Sequence, residues 1–397
     1  MEISGLSSLL DAGSPYVTEL TAGILIIVFV LLFLALLSTA GYFPVLLAIT
    51  SYTPVIARLK AKGVPFIESD PVLDLMQSGS VPDCISRLKG FGYLGRVSPE
   101  CTPDQAEEEL LVSWYDEVSV LRSQAPQDAW LFFDAVLFFQ ERAKVKRIIR
   151  LVHMGQANHI PDEPLLWPDG FTPDLAAKIA NAHDLGECVR LFHETRYGES
   201  LSRSLPLYEK EKSFFYLDHA LDCEGFSELF SQASMVQTYL ASPYRDFISV
   251  LIDIQNVRTL IRAKHAGWNQ EDASLCLIEG GLELPFWRLV QINEMMSLPD
   301  VVRQLTGTCF DSMLSPLLRT YPSTDSMLQI DLALDRHLLD TISRLSMEYY
   351  HTGGPLLWYV VAKEFELRNI RIILSGIYEG YSSEQIFQML VTEPGGT

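Results

Sequence analysis

The residues best placed to do chemistry in this sequence are charged positions that recur three times. An acid is followed five residues later by a base in each of three similar segments. The acids are Glu141, Asp253 and Glu366, and the bases are Lys146, Arg258 and Arg371. Two interpretations stay open: the charges face solvent in copies that share an ancestor, or three equivalent helices direct them into a central hollow that holds a partner. A buried unpaired ion costs several kcal/mol, so in both interpretations the charges are expected to be paired or hydrated.

Catalytic motifs are missing from the sequence. It contains no GxxxxGK[ST] phosphate loop, no GxSxG nucleophile elbow and no HExxH metal pair. The eight histidines are dispersed, and the acidic run Glu107 to Glu109 fits a solvated helix face. We therefore predict no catalytic residue, no cofactor-binding residue, no metal site and no small-molecule substrate, as expected of a protein that is not an enzyme.

The cysteines do not suggest a metal or redox site either. Six are scattered without a close pair, so no zinc ribbon or CxxC motif is encoded locally: Cys84, Cys101, Cys188, Cys223, Cys276 and Cys309. Cys84 and Cys188 occupy the same position of a recurring segment, where a third copy has Val301. This equivalence predicts that both are small core residues.

The elements that carry the recurring charges are three long amphipathic helices, at 138–155, 247–267 and 362–380. Each ends in a glycine, and these glycines lie about 112 residues apart: Gly155, Gly267 and Gly380. Apolar residues three or four positions apart coincide in the three copies, as one buried helix face requires. The matching triplets are Val145, Val257 and Ile370; Ile148, Leu260 and Ile373; and Ile149, Ile261 and Leu374. A terminal glycine suits the left-handed conformation that ends many helices.

A second segment recurs at Ser80, Asp184 and Ser297 and predicts a short amphipathic helix. Its first turn carries an acid (Asp83, Glu187, Asp300), and an aromatic residue closes it ten positions later (Tyr93, Tyr197, Phe310). The period is too long for a solenoid unit, so it predicts three similar helical subdomains. The last long helix lies at the C-terminus and the earliest short segment near the N-terminus. The fold is therefore expected to be all-α, with pseudo-three-fold symmetry, and with the third subdomain closed by joining the two chain ends.

Composition limits the partners. The 397 residues carry a net charge of −20 and are 48% apolar, enough for a large core. Nucleic acid is excluded as a partner because phosphate neutralisation needs an excess of Lys and Arg.

The N-terminus predicts a membrane anchor. No charged residue lies between Glu19 and Arg58, and Thr21 to Ala40 is apolar over a length that spans a bilayer core. Residues 1–20 form a short acidic tail without the basic start of a signal peptide. Arg58, Lys60 and Lys62 place the body in the cytoplasm and the N-terminus outside, giving a single-pass protein of the cell membrane. The alternative is a buried hydrophobic hairpin of the soluble fold.

Three segments in order carry a resemblance to a known family. They are PLLWYVVAKEFELRNIRIILSGIYEGYSSEQIFQML, DIQNVRTLIRAKHAG and LIEGGLELPFWRLV. Over about residues 52 to 390 the sequence resembles the C subunit of archaeal and bacterial V/A-type rotary ATPases, the relative of the eukaryotic d subunit. The resemblance implies a helical funnel, here residues 52–397. In that family the funnel sits on the membrane proteolipid ring, receives the central stalk, transmits torque and does no chemistry. The N-terminal helix at 21–40 departs from the family pattern.

The sequence thus favours a non-catalytic central-stalk socket of a rotary ATPase or ATP synthase that transports protons or sodium ions. The resemblance implies that the six recurring charges are stalk-binding candidates. The alternative is a membrane-tethered helical scaffold of the same fold outside the motor.

Overall fold

The computed structural model describes residues 15–39, 42–161, 164–168, 170–235, 242–324 and 327–392. Within these ranges the chain forms eighteen α-helices and no strand, so the predicted all-α class is confirmed. The chain divides into two compact units, Met1–Pro54 and Val55–Thr397.

The helices follow one another in this order: α1 (Pro15–Thr39), α2 (Tyr42–Lys62), α3 (Ser69–Met76), α4 (Val81–Gly90), α5 (Pro103–Gln124), α6 (Trp130–His153), α7 (Pro173–Ala180), α8 (Leu185–Leu191), α9 (Gly198–Glu211), α10 (Phe215–Met235), α11 (Ser242–His265), α12 (Gln270–Ser274), α13 (Phe286–Asn293), α14 (Leu298–Gln304), α15 (Cys309–Thr324), α16 (Met327–Glu348), α17 (Gly354–Tyr378) and α18 (Ser383–Phe387).

Helix α1 of the N-terminal unit is the apolar helix that the sequence predicts. It has 25 residues, so at 1.5 Å per residue it is about 37 Å long and exceeds a hydrocarbon core of about 30 Å. None of the window Glu19–Leu36 is buried, and it is the one helix of the described residues that is long and apolar enough to cross a membrane. A buried hairpin at this place is inconsistent with that exposure. Residues 1–14 and Ala40 lie outside the described residues.

The three long helices of the larger unit, α6, α11 and α17, end in the same way. Gly155, Gly267 and Gly380 have φ angles of 68°, 70° and 76°, in the left-handed region. Each glycine N–H bonds the carbonyl three residues earlier, and the following N–H bonds the carbonyl five residues before it. This is the Schellman motif, in which only glycine avoids a steric penalty.

The apolar face of each long helix is buried as the repeat predicts. Val145, Val257 and Ile370 are at most 1% exposed. Around α6 the core takes in residues of α8 and α10, and around α11 it takes in residues of α14 and α16. The short helices α4, α8 and α14 begin alike, because Ser80, Asp184 and Ser297 each accept the backbone N–H three residues later.

Helix α17 packs on α16 and also on helices from the other end of the sequence. It contacts α3, α4 and α5, while α18 packs on α3. Helix α5 therefore stands beside α17 as α10 stands beside α6 and α16 beside α11. The approximate three-fold relation of the subdomains and their exact division stay predictions.

One segment that the sequence predicts as a break is helical as far as the structure describes it. The prolines at 316 and 322 suggest an interruption from Asp311 to Asp325, yet α15 continues through Thr324. Phe310 and Leu314 are buried in the core around α11, and Met313 and Leu317 pack against it. Tertiary packing of this face compensates for the backbone hydrogen bonds that proline removes.

Candidate functional site

The recurring acid of the second copy, Asp253, is turned into the protein. It is 2% exposed, and its carboxylate accepts the backbone N–H groups of Leu282, Glu283 and Leu284 at 2.8, 2.7 and 3.2 Å. Burial raises its pKa to about 6, against the opposing effect of these hydrogen bonds. A Cβ at Gly281 would clash with a carboxylate oxygen of Asp253, so the close approach of this loop requires glycine. Asp253 fastens the loop after α12.

The third copy has a similar arrangement, formed between residues near the two ends of the larger unit. Glu366 is 2% exposed and accepts the backbone N–H of Ile67 at 3.0 Å. Burial raises its pKa to about 7, while that hydrogen bond and the cation of Lys363 act in the opposite direction. In the first copy, Glu141 instead pairs with Lys144 at 2.7 Å. The acid position therefore serves the fold in all three copies.

The recurring bases are paired within the chain. Lys146 bonds Asp222 of α10 at 2.5 Å, and Arg371 bonds Glu107 of α5 at 2.7 Å. Arg258 bonds two aspartates of α16, Asp331 at 3.1 Å and Asp335 at 2.9 Å. Each base thus joins its long helix to the antiparallel helix beside it. The bases are hydrated at their edges, since their side chains are 19% (Lys146), 23% (Arg258) and 39% (Arg371) exposed.

The long helices share a third recurring polar position, which the sequence-based prediction did not include. Asn256 and Asn369 lie one residue before Val257 and Ile370, and each side-chain amide both donates to and accepts from one backbone group 22 residues later, Ile278 and Val391. Lys144 takes this place in the first copy and donates to the carbonyls of Leu165 and Trp167. The signal was present in the sequence: a polar residue stands beside the buried face at the same register in three copies.

The three long helices converge on a cavity of about 280 Å³. Helices α10 and α16 complete its wall, which is mainly apolar. The lining residues are Val136, Phe139, Asp222, Phe226, Phe247, Leu251, Ile254, Gln255, Arg258, Asp335, Leu338, Val361, Glu364, Phe365 and Arg368. Of the six recurring charges, only Arg258 lines it, so the structure does not gather the six at this cavity.

Glu364 is the cavity acid that sequence reasoning missed. Its side chain stays accessible to solvent, and its Oε1 accepts a hydrogen bond from the amide of Gln140 on α6 at 2.8 Å. Desolvation by the surrounding walls raises its pKa, against the attraction of Arg371 and Arg368. One residue in a single copy has no periodic signal, so the repeat pattern does not point to it.

Burial raises the pKa of all six cysteine thiols. Cys84 and Cys188 are fully buried, as predicted, and burial raises the pKa of each thiol to about 12. Cys309 lies 3.2 Å from Nε2 of His337, but burial also raises its pKa to about 12. A neutral thiol is a poor nucleophile and a poor ligand. Among the described residues no group of three metal-ligating side chains occurs.

Comparison with known proteins shows which family the chain belongs to. Residues 55–389 match the family described as ATP synthase (C/AC39) subunit. The A-type ATP synthase C subunit of Methanocaldococcus jannaschii is 24% identical over 347 residues, 86% of each chain. The protein of the same name from Halobacterium salinarum is 27% identical over 363 residues, 86% of this chain and 97% of the relative. The family match starts after α1 and continues beyond α18, so the chain belongs to the ATP synthase (C/AC39) subunit family.

Proposed function

We propose that this chain is the non-catalytic socket that couples the central stalk of a rotary V/A-type ATPase or ATP synthase to the proteolipid ring in the membrane. The observation that carries the proposal is the family match over residues 55–389, which spans all three long helices. The cavity on which these helices converge has room for a side chain of the stalk. The chain itself performs no chemistry; ions are moved by other subunits.

Such a socket must transmit torque without yielding, and the internal contacts suit that task. Ion pairs join each long helix to its antiparallel neighbour, and buried Asp253 and Glu366 fasten loops to α11 and α17. Since packed interiors are stiff, a body tied together in this way moves as a unit.

Of the six recurring charged residues, the bases with accessible surface are the best candidates for contact with the stalk. Asp253 and Glu366 have their carboxylates engaged by loop N–H groups, and Glu141 pairs with Lys144. Arg258 lines the central cavity. Arg371 has the most exposed side chain of the six recurring charged residues. We therefore assign stalk contact first to these two arginines.

Helix α1 would tether this socket to the cell membrane as a single-pass anchor. Arg58, Lys60 and Lys62 follow it and favour a cytoplasmic body with the N-terminus outside. A second candidate function rests on the same helix, because it lies before the family match: the chain is a membrane-tethered scaffold outside the motor.

Affinity purification of the full chain through a C-terminal tag, in mild detergent, separates the two functions. The socket predicts stoichiometric recovery of the catalytic subunits, the central stalk and the proteolipid. The scaffold predicts none of them. A tagged catalytic subunit purified from the same cells is the reciprocal control, and its isolation without this chain would overturn the socket.

A further inference from the structure

The central cavity is too small for a folded element of a partner. Its volume of about 280 Å³ lies just below the range of about 300–1,000 Å³ that is typical of ligand pockets. It has room for a long side chain but not for a helix. Four phenylalanines, Phe139, Phe226, Phe247 and Phe365, contribute to its wall. Such a wall suits an aliphatic stem and offers aromatic faces to a cation.

The charges of the cavity are paired with one exception. Asp335 accepts from Arg258 at 2.9 Å and also pairs with Arg368. Asp222 pairs with Lys146 at 2.5 Å. Glu364 has no cation within ion-pair distance in the described part of the chain; its hydrogen bond comes from the neutral amide of Gln140.

The Glu364 carboxylate has a neutral hydrogen-bond partner but no ion-pair partner among the described residues. Glu364 lines the apolar-walled cavity while part of its side chain stays in solvent, and its hydrogen-bond partner, the amide of Gln140, carries no charge. A cation brought into the cavity would form a charge-assisted hydrogen bond with this carboxylate, which is roughly twice as strong as a hydrogen bond between neutral groups. Arg258 and Arg368 repel an incoming cation less than unpaired arginines would, because the negative charge of Asp335 pairs with both.

We propose that the cavity receives one lysine or arginine side chain of the central stalk, with its stem against the phenylalanines and its cation on Glu364. This inference rests on the proposed function and names the chemistry of the stalk group that seats in the socket. The contact fixes the rotational register of the stalk in the socket, because only one of the three long helices carries this acid.

The test measures the affinity of the purified full chain, in detergent, for the purified stalk subcomplex of the same organism by biolayer interferometry. Glu364→Gln keeps the shape and removes the charge. Loss of the charge from a partly hydrated ion pair is expected to weaken binding about tenfold. Glu209→Gln, the same change on the exposed face of α9, is the matched control and should stay within about twofold.

A second variant blocks the cavity without touching the acid. Leu251→Trp fills the space from the α11 wall and should also weaken binding, which keeps the test decisive if Glu364→Gln folds poorly. Weaker binding for Leu251→Trp but equal affinity for Glu364→Gln and Glu209→Gln would overturn the proposal, since the cavity would then take an apolar side chain. No binding by the unmodified chain would instead overturn the proposed function.

Discussion

At the scale of single residues, Glu366 is an acid that the fold holds in a place unfavourable for its charge. Its carboxylate closes the contact between α17 and the segment before α3, where Ile67 donates its N–H. Lys363 and Tyr93 are the nearby titratable groups; Lys363 favours the charged form of Glu366, and the Glu366 charge in turn raises the pKa of Tyr93. Burial outweighs the effect of Lys363, so folding favours protonated Glu366.

A pH-dependent stability follows from this shift. The pKa of Glu366 rises on folding from 4.5 to about 7, so its favourable contribution is complete below about pH 4.5 and is lost as pH rises through about 7. The variant Glu366→Gln keeps an acceptor for Ile67 but cannot ionise. Its free energy of unfolding, relative to that of the unmodified chain, is expected to increase by up to about 3 kcal/mol between pH 4 and pH 8. Urea unfolding at several pH values measures this, with Glu209→Gln as the control that should show a flat difference.

The ion pairs of the recurring bases change how a charge reversal must be interpreted. Arg258→Glu would place a third acid beside Asp331 and Asp335. Because these groups are largely buried, we expect a loss of about 3 kcal/mol in the free energy of unfolding. Arg203→Glu, at an exposed pair with Glu199, should lose no more than about 1 kcal/mol. Equal losses in thermal or urea unfolding would show that the Arg258 pairs do not stabilise the fold. A stalk-binding defect in Arg258→Glu is informative only when its fold has been shown to persist.

At the scale of elements, the three Schellman ends make a direct comparison possible. Gly267 has a φ of 70°, and no atom lies within 4 Å of a Cβ built on it, so Gly267→Ala introduces backbone strain without a clash. The expected loss is about 1–2 kcal/mol in the free energy of unfolding. Gly95→Ala also meets empty space, but its φ is not in the left-handed region, so it should change stability by less than about 0.5 kcal/mol. A loss in Gly95→Ala as large as that in Gly267→Ala would contradict the conformational explanation.

Elements with a local signature were predictable from the sequence. The glycine at the end of each long helix, the cap residue of each short helix and the apolar run of α1 are encoded within a few residues, and the structure has all of them. The partners of the recurring charges were not. Asp222 lies 76 residues after Lys146, and Glu107 lies far before Arg371, so only folding brings them together. The position of Glu364 in the cavity could not be predicted, because the cavity is lined by helices that lie far apart in the sequence.

At the scale of the whole molecule, the larger unit is closed by its own ends. Beyond the Glu366 contact, Ser383 donates to the carbonyl of Met76, and Arg371 reaches Glu107. Helices α6 and α11 find their short and antiparallel helices further along the chain, whereas α17 finds them about 260 to 300 residues earlier. Closure of this last subdomain therefore carries the largest loop-closure entropy of the three, which makes it the one most dependent on its packing.

This dependence gives a prediction with a matched control in one short helix. Ile386 of α18 is fully buried and packs on Gly376, whereas its neighbour Phe387 is 49% exposed. Ile386→Ala should lower the free energy of unfolding by about 2–5 kcal/mol, and Phe387→Ala by less than about 1 kcal/mol. Hydrogen exchange followed by mass spectrometry should locate the effect. We expect faster exchange of α3 and α4 in Ile386→Ala, some 300 residues away in sequence, with unchanged protection of α8 and α14, because the closing subdomain opens before the others. If exchange rises equally in α8 and α14, the larger unit opens as a single cooperative body and its ends have no separate role.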